Sequence, residues 1–269
     1  MLTLILACAP APALQRCNGA AELCDRPLDE VVFPATHNSM SAEDDGYVAP
    51  NQHHGIPQQL SDGVRGFLMD TTLWEGEPYL CHGSCELGAT PLLDVLVGVR
   101  LFLQTHPDEV LIFILQDDLS AEATAAVFEA AGLTGQLITH PDGERWPTLA
   151  ELIAADTRIL VMAEGGGPPP DWYHHAWDLT WDTPYEYSDP SEFSCALNRG
   201  SQDNDLFLIN HWLGPVPWDE KTAYVNDWDT LYPRVGDCVA QTGRLPTLVA
   251  VDFYDQGALF EVVSAYNAG

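Results

Sequence analysis

The chain has 269 residues, enough for one large domain, and its 46% hydrophobic and 10% aromatic content excludes a disordered or fibrous protein. Forty acidic residues against ten basic ones give a formal net charge of −30, and Lys221 is the one lysine. A nucleic-acid binder needs a basic patch to neutralise phosphates, and strong attraction to anionic membranes needs the same, so neither partner is expected.

Residues 1–13 are apolar, with no charge before Arg16. The run is too short to span a bilayer, so residues 1–16 read as a signal or lipoprotein-like leader, and residues 17–269 as the folded domain. Ile5-Leu6-Ala7-Cys8 resembles a bacterial lipobox, which would anchor the chain through lipid at Cys8; an ordinary signal or a misplaced start codon competes with that reading. Setting Cys8 aside, six cysteines remain, and their spacing alone fixes no pairing. Proximity favours Cys17–Cys24 and Cys81–Cys85, which leaves Cys195–Cys238. A zinc site is disfavoured because no CxxC, HxxxH or HxxxxH pair occurs. Disulfides imply an oxidising compartment, hence a secreted, periplasmic or cell-surface protein.

Short aliphatic and β-branched runs predict strands at Glu30–His37, Gly63–Asp70, Pro78–Gly83, Glu109–Asp117, Arg158–Glu164, Leu206–Trp212 and Pro246–Tyr254, with Trp177–Thr183 as an eighth. Helical spacing falls at Leu92–Gln104, at Ala121–Ala131 behind an N-cap at Ser120, at Pro147–Ala155 and at Ala258–Asn267. The alternation predicts the α/β class and a single TIM-type (β/α)8 barrel, with allowance for a distorted or incomplete one. A doubly wound sheet is the alternative, weakened by the lack of a glycine-rich phosphate loop. Gly165–Pro170 (GGGPPP) reads as a rigid surface loop, because proline offers no N–H to an anion.

Barrel active sites lie at the C-terminal ends of the strands. Those ends read His37-Asn38, Asp70, His82, Gln116-Asp117, Glu164, Asn210-His211, and Asp252 with Asp255. Two histidines across a cleft suit general acid–base work near neutral pH, and phosphodiester cleavage fits that pairing. Asn38 and Asp70 offer the oxygen ligands that Ca²⁺ or Mg²⁺ prefers. The pairs His53-His54 and His174-His175 read as loop residues. Trp172, Trp177, Trp181 and Tyr185 read as a loop-stabilising group or an aromatic rim for lipid.

Three stretches carry a resemblance: Thr36-His37-Asn38-Ser39, the run Gln59-Leu60-Ser61-Asp62-Gly63-Val64-Arg65-Gly66-Phe67-Leu68-Met69-Asp70, and Cys81-His82-Gly83. They resemble the X domain of phosphatidylinositol-specific phospholipases C, which belong to the PLC-like phosphodiesterases and adopt a TIM-type barrel. Trp181-Asp182-Thr183-Pro184-Tyr185, Asn198-Arg199-Gly200 and Val251-Asp252-Phe253-Tyr254 resemble segments of secreted bacterial and fungal members. The resemblance implies that His37 is the general base on the inositol 2-hydroxyl and His82 the general acid on the departing glyceride oxygen, through a cyclic phosphodiester. Asp252 is the expected partner orienting an imidazole. The implied partner is an inositol phospholipid headgroup, met by a monomer in peripheral contact with a membrane.

The chain also departs from that family. Metal-dependent members carry an acid two residues before Asp70, where this chain has Leu68, and another at the end of the fourth strand, where it has Gln116 followed by Asp117. Metal-free bacterial members place an arginine at the position of Asp70. Asn38, Asp70 and Asp117 are therefore the expected ligands of a weakly held divalent cation, Ca²⁺ first. Arg65 is a candidate to bind substrate in its stead, or else a partner for Asp62. Asn210, Trp212 and Tyr254 are expected to wall a sugar site. Rival readings are a glycerophosphodiester phosphodiesterase, a sphingomyelinase D-like enzyme, or a barrel that binds glycan or lipid headgroups without turnover.

Overall fold

The computed structural model describes residues 16–214 and 224–269, so the leader, Cys8 and Lys221 lie outside the described residues. Ten strands and seven α-helices are present among them. The strands are β1 (Phe33–Thr36), β2 (Gly66–Trp74), β3 (Glu77–Leu80), β4 (Thr90–Pro91), β5 (Leu111–Asp117), β6 (Ile159–Ala163), β7 (Tyr173–His175), β8 (Thr180–Asp182), β9 (Leu206–His211) and β10 (Leu248–Val251). The helices are α1 (Ile56–Asp62), α2 (Leu92–Thr105), α3 (Ala121–Ala130), α4 (Leu149–Ala155), α5 (Ala176–Leu179), α6 (Trp228–Thr242) and α7 (Leu259–Ala268).

Eight strands pair in parallel in the order β7-β6-β5-β2-β1-β10-β9-β8, a curled sheet of the TIM-barrel kind. The expected barrel is present, but one of its staves differs from the expectation. Pro78–Gly83 is no stave: its core, β3, runs antiparallel to the extended end of β2 and outside the barrel path. The eighth place is taken by β7, which contains the His174-His175 pair expected in a loop. Helices α1 and α6 were not expected. In α6 the cue is masked by Pro233 and Gly236, both inside its helical run.

Capping chemistry sets several boundaries. Ser120 accepts from the Ala123 amide at the start of α3, as its sequence predicted. At α4 the cap is Thr148, in a reciprocal box with Glu151, so the helix begins two residues after Pro147. The three disulfides are Cys17–Cys24, Cys81–Cys85 and Cys195–Cys238, as proximity suggested.

Strand alternation sorts the core into two layers. Phe33 and Ala35, Leu68, Ile112 and Ile114, Leu160 and Met162, Leu206 and Leu208, and Leu248 and Ala250 share one buried cluster, the barrel interior. Leu23, Leu28, Trp146 and Leu149 join that cluster. Their neighbours in sequence, such as Phe67, Phe113, Val161, Phe207 and Val249, face outward and pack with Leu96 of α2, Phe128 of α3, Val235 of α6 and Val262 of α7.

The barrel has one seam. β7 and β8 are consecutive, joined by the single turn of α5, yet each pairs only with its other neighbour. Side chains span the gap. Thr180 of β8 donates to the Met162 sulfur of β6 at 3.2 Å. Arg199 donates from Nη1 to Glu164 just beyond β6 at 2.9 Å, and from Nη2 and Nε to Asp182 of β8 at 2.6 and 3.0 Å. Its guanidinium lies between the rings of Trp177 and Tyr185, 4.0 and 4.9 Å from their centroids. Gly200, at φ 80°, brings this chain so close to β8 that a Cβ there would overlap the Thr180 carbonyl oxygen.

Asp182 is fully buried, so removing its cation leaves a charge without its main partner. Arg199→Met is expected to cost about 3 kcal/mol in urea unfolding, with Asp182→Asn in the same chain restoring part of the loss. A cost below about 1 kcal/mol would show that the seam is held by other contacts.

Candidate active site

The same period of two that fills the barrel interior decides which polar side chains reach its mouth. Continuing the inward positions past the last apolar residue gives His37 after β1, Asp70 from β2, Gln116 from β5, Glu164 after β6, Asp182 from β8, Asn210 from β9 and Trp212 after it, and Asp252 after β10. A cavity of about 1050 Å³ opens there, lined by His37, Asn38, Asn51, Asp70, His82, Gln116, Trp212 and Asp252, with Tyr185, Tyr187, Glu186 and Glu192 among its other walls. A smaller space of about 130 Å³ adjoins it and adds Leu68, Glu164 and Arg199.

His37 is fixed on two sides. Its Nδ1 lies 2.9 Å from Asp252 Oδ1, and its ring stacks on Trp212 at 3.8 Å with an interplanar angle of 3°. Asp252 also accepts from Asn51 Nδ2 at 3.1 Å, and its other oxygen is buried without a protein partner. A carboxylate on Nδ1 keeps the proton there and leaves Nε2 as a lone pair. His82 sits in the turn after β3, inside the ring closed by Cys81–Cys85, and its Nε2 lies 3.2 Å from Asn38 Nδ2. Burial, and then the nearby charge of His37, lower its pKa, against a smaller opposing pull from Asp252. Burial pushes Asp70 up to about 7; His37 opposes the rise, and Glu164 and Asp118 add to it. Asp70 therefore still holds its proton in part near pH 7.

Four expected site residues lie elsewhere. Asp117 falls on the outward parity of β5 and accepts from the Gly165 amide at 2.7 Å and the Tyr173 hydroxyl at 3.0 Å. Arg65 precedes β2, at the opposite end of the barrel, where it pairs with Glu109 rather than Asp62 and donates to the Leu60 and Val64 carbonyls. Tyr254 packs in the outer layer with its hydroxyl on Asp62 at 2.6 Å. Asn210 is buried beneath the mouth, donating to Asp182 and the Thr183 carbonyl. Of the suggested aromatic rim, Trp172 and Trp181 are buried in the outer layer, whereas Tyr185 reaches the cavity.

The cation expectation meets the same difficulty. With Asp117 turned away and Leu68 apolar, and with Asp252 engaged by His37 and Glu164 and Asp182 by Arg199, the strand ends leave Asp70 as the carboxylate beside the amides of Asn38 and Gln116. Ca²⁺ takes six to eight oxygens, several of them from carboxylates. Among the described residues no group of three or more His, Cys, Asp or Glu is placed to share a metal. The residues present do not fit a resident divalent ion.

Two residues of this region escaped the sequence. Arg199 was visible in Asn198-Arg199-Gly200, but nothing in that motif told which wall it would join. Asn51 belongs to a loop between β1 and α1, far from any strand end, and gave no signal.

The family model described as PI-PLC X 1 matches residues 23–267, and the chain belongs to this PI-PLC X-domain family. It is 28% identical to an uncharacterized secreted protein of Arthroderma benhamiae, over 96% of this chain and 65% of that one. It is likewise 28% identical to a PI-PLC X domain-containing protein of Arabidopsis thaliana, over 90% and 62%. The chain thus spans somewhat under two thirds of the length of these two relatives. A variant of phosphatidylinositol-specific phospholipase C from Staphylococcus aureus shares the fold, with a TM-score of 0.62 and 16% identity over 90% of this chain and 93% of that one.

Beside the mouth, His211 faces outward and is fully buried, with Nε2 on the Val225 carbonyl at 2.8 Å. Burial lowers its pKa from 6.5 to about 4. A depressed histidine binds its proton more weakly when folded, so its stabilising effect is complete above 6.5 and is lost as pH falls towards 4. The stability gap between wild type and His211→Asn is expected to shrink by about 2 kcal/mol between about pH 8 and pH 5. A gap that does not change with pH would mean that His211 titrates normally.

Proposed function

We propose that this chain is a phosphodiesterase that cleaves a phosphatidylinositol-like phosphodiester by general acid–base catalysis, with His37 as base and His82 as acid. The observation that carries the reading is a pair of histidines lining one barrel mouth, the first held by Asp252 through Nδ1 so that its Nε2 is left as a lone pair. His37 Nε2 takes the proton of the inositol 2-hydroxyl as that oxygen bonds to phosphorus. The bond from phosphorus to the glyceride oxygen breaks, and that oxygen receives the proton of His82. Water can then open the cyclic phosphodiester with the two roles exchanged. The names of the Staphylococcus aureus neighbours support the inositol lipid as substrate.

Among the described residues, no lysine or arginine lines the larger cavity to meet the developing phosphoryl charge. Hydrogen-bond donors serve instead: whichever histidine carries the transferred proton, the amide of Gln116, and Asp70 in its protonated form. Because the mouth lacks the donors for a resident ion, the proposed reaction needs none. Three disulfides and a secreted relative support an exported protein acting outside the cytoplasm.

In phosphorus NMR with phosphatidylinositol in detergent, the wild-type protein is expected to produce cyclic inositol phosphate, and His37→Ala and His82→Ala each to lower the rate roughly 10²–10⁴-fold. Chelator is expected to leave the rate unchanged, and loss of activity restored by Ca²⁺ would overturn the metal-free reading. No product under any condition would favour the non-catalytic binding barrel. The pH profile has a definite sign: Asp70 loses its proton near 7, and burial lowers the pKa of His82. Accordingly kcat/KM is expected to fall from about pH 6 to about pH 8, and a rate that does not fall over that range would contradict the donor roles given to these two groups.

A further inference from the structure

We propose that Asn51 is a positioning residue: with Asn38 it ties the two histidines into one side-chain hydrogen-bond chain of fixed direction, filling the place between them with amides rather than an ion. The proposal rests on the reading of His37 and His82 given above. The chain runs from His37 Nδ1 to Asp252 Oδ1 at 2.9 Å, from Asp252 Oδ1 to Asn51 Nδ2 at 3.1 Å, from Asn51 Oδ1 to Asn38 Nδ2 at 3.3 Å, and from Asn38 Nδ2 to His82 Nε2 at 3.2 Å.

Its direction follows from donor and acceptor chemistry. The ionised Asp252 can only accept, so Asn51 must turn its NH₂ towards it and its carbonyl oxygen towards Asn38. That oxygen can only accept, so Asn38 presents its own NH₂, and the other hydrogen of that group points at His82. His82 Nε2 must then be a lone pair, with the ring proton on Nδ1. Each orientation is forced by the one before it, and the carboxylate at one end sets the tautomer of the imidazole at the other.

The bridge is rigid where it must be. Asn51 is fully buried, its backbone N–H donates to Ser41 and its carbonyl accepts from Phe253, both at 2.8 Å, so it joins the loop after β1 to the turn after β10. Asn38 holds φ at 44°, in the left-handed region that asparagine tolerates better than most residues. A donor aimed at Nε2 favours the neutral ring over the charged one. An ion between the histidines would need the Asn38 oxygen turned inwards, whereas here its nitrogen faces both neighbours.

The test reads tautomers and needs no turnover, so it stands apart from the assays of the proposed reaction. Histidine-selective ¹⁵N NMR at about pH 8, with His37 and His82 assigned from the respective alanine variants, is expected to show both neutral rings protonated at Nδ1. In Asn51→Ala and Asn51→Ser, His82 is expected to shift towards the Nε2-protonated form while His37, still on Asp252, does not. Wild-type His82 protonated at Nε2 would overturn the proposal even if neither variant folds, and so would an unchanged His82 in a folded variant. Given turnover on phosphatidylinositol, kcat in the Asn51 variants is expected to fall roughly 10- to 100-fold with KM within about twofold. A loss confined to KM would contradict a positioning role.

Discussion

What the strands bring to the barrel mouth depends on one constraint: successive residues of a strand face opposite sides of a sheet. The apolar layer inside the barrel fixes the parity of each strand, and that parity then selects which polar residue beyond the layer faces the cavity. Ala35 points inward, so His37 does; Ala250 points inward, so Asp252 does; Ile114 points inward, so Gln116 faces the mouth and Asp117 cannot. The packing of the core and the composition of the site are one decision read at two heights. A single-residue slip in any stave would exchange a site residue for its neighbour.

This constraint also explains what could be read from the sequence. The buried runs of β5, β6, β9 and β10 were legible because strands covered on both faces are continuously apolar. His37, Asp70 and Asp252 were legible because they end such runs. Asp117 was misplaced because a continuous run gives no cue to its own parity; both Gln116 and Asp117 follow it equally well. Arg65 was misplaced because nearness in sequence to Asp62 says nothing about which end of a strand it occupies. β7 was missed because three residues, two of them histidines, carry too little pattern. Asn51 was out of reach altogether: a buried amide in a loop is placed by tertiary contacts that spacing does not encode.

Negative charge is distributed unevenly in its consequences. The carboxylates at the mouth are each managed locally: Asp252 by His37 and Asn51, Asp182 by Arg199 and Asn210, Glu164 by Arg199, and Asp70 by retaining its proton. The few arginines are spent mainly on structure, at the seam and at the base of β2. What remains for an incoming phosphodiester is a wall of amides and acids that can donate, in a protein whose overall field repels it.

The ring closed by Cys81–Cys85 sets how one half of the histidine pair is held. It encloses only His82, Gly83 and Ser84, so the disulfide is part of the frame that carries one of the two histidines. His37 is held instead by a hydrogen bond and a stacked ring, so the two halves of one pair rest on different kinds of bond, one covalent and one not.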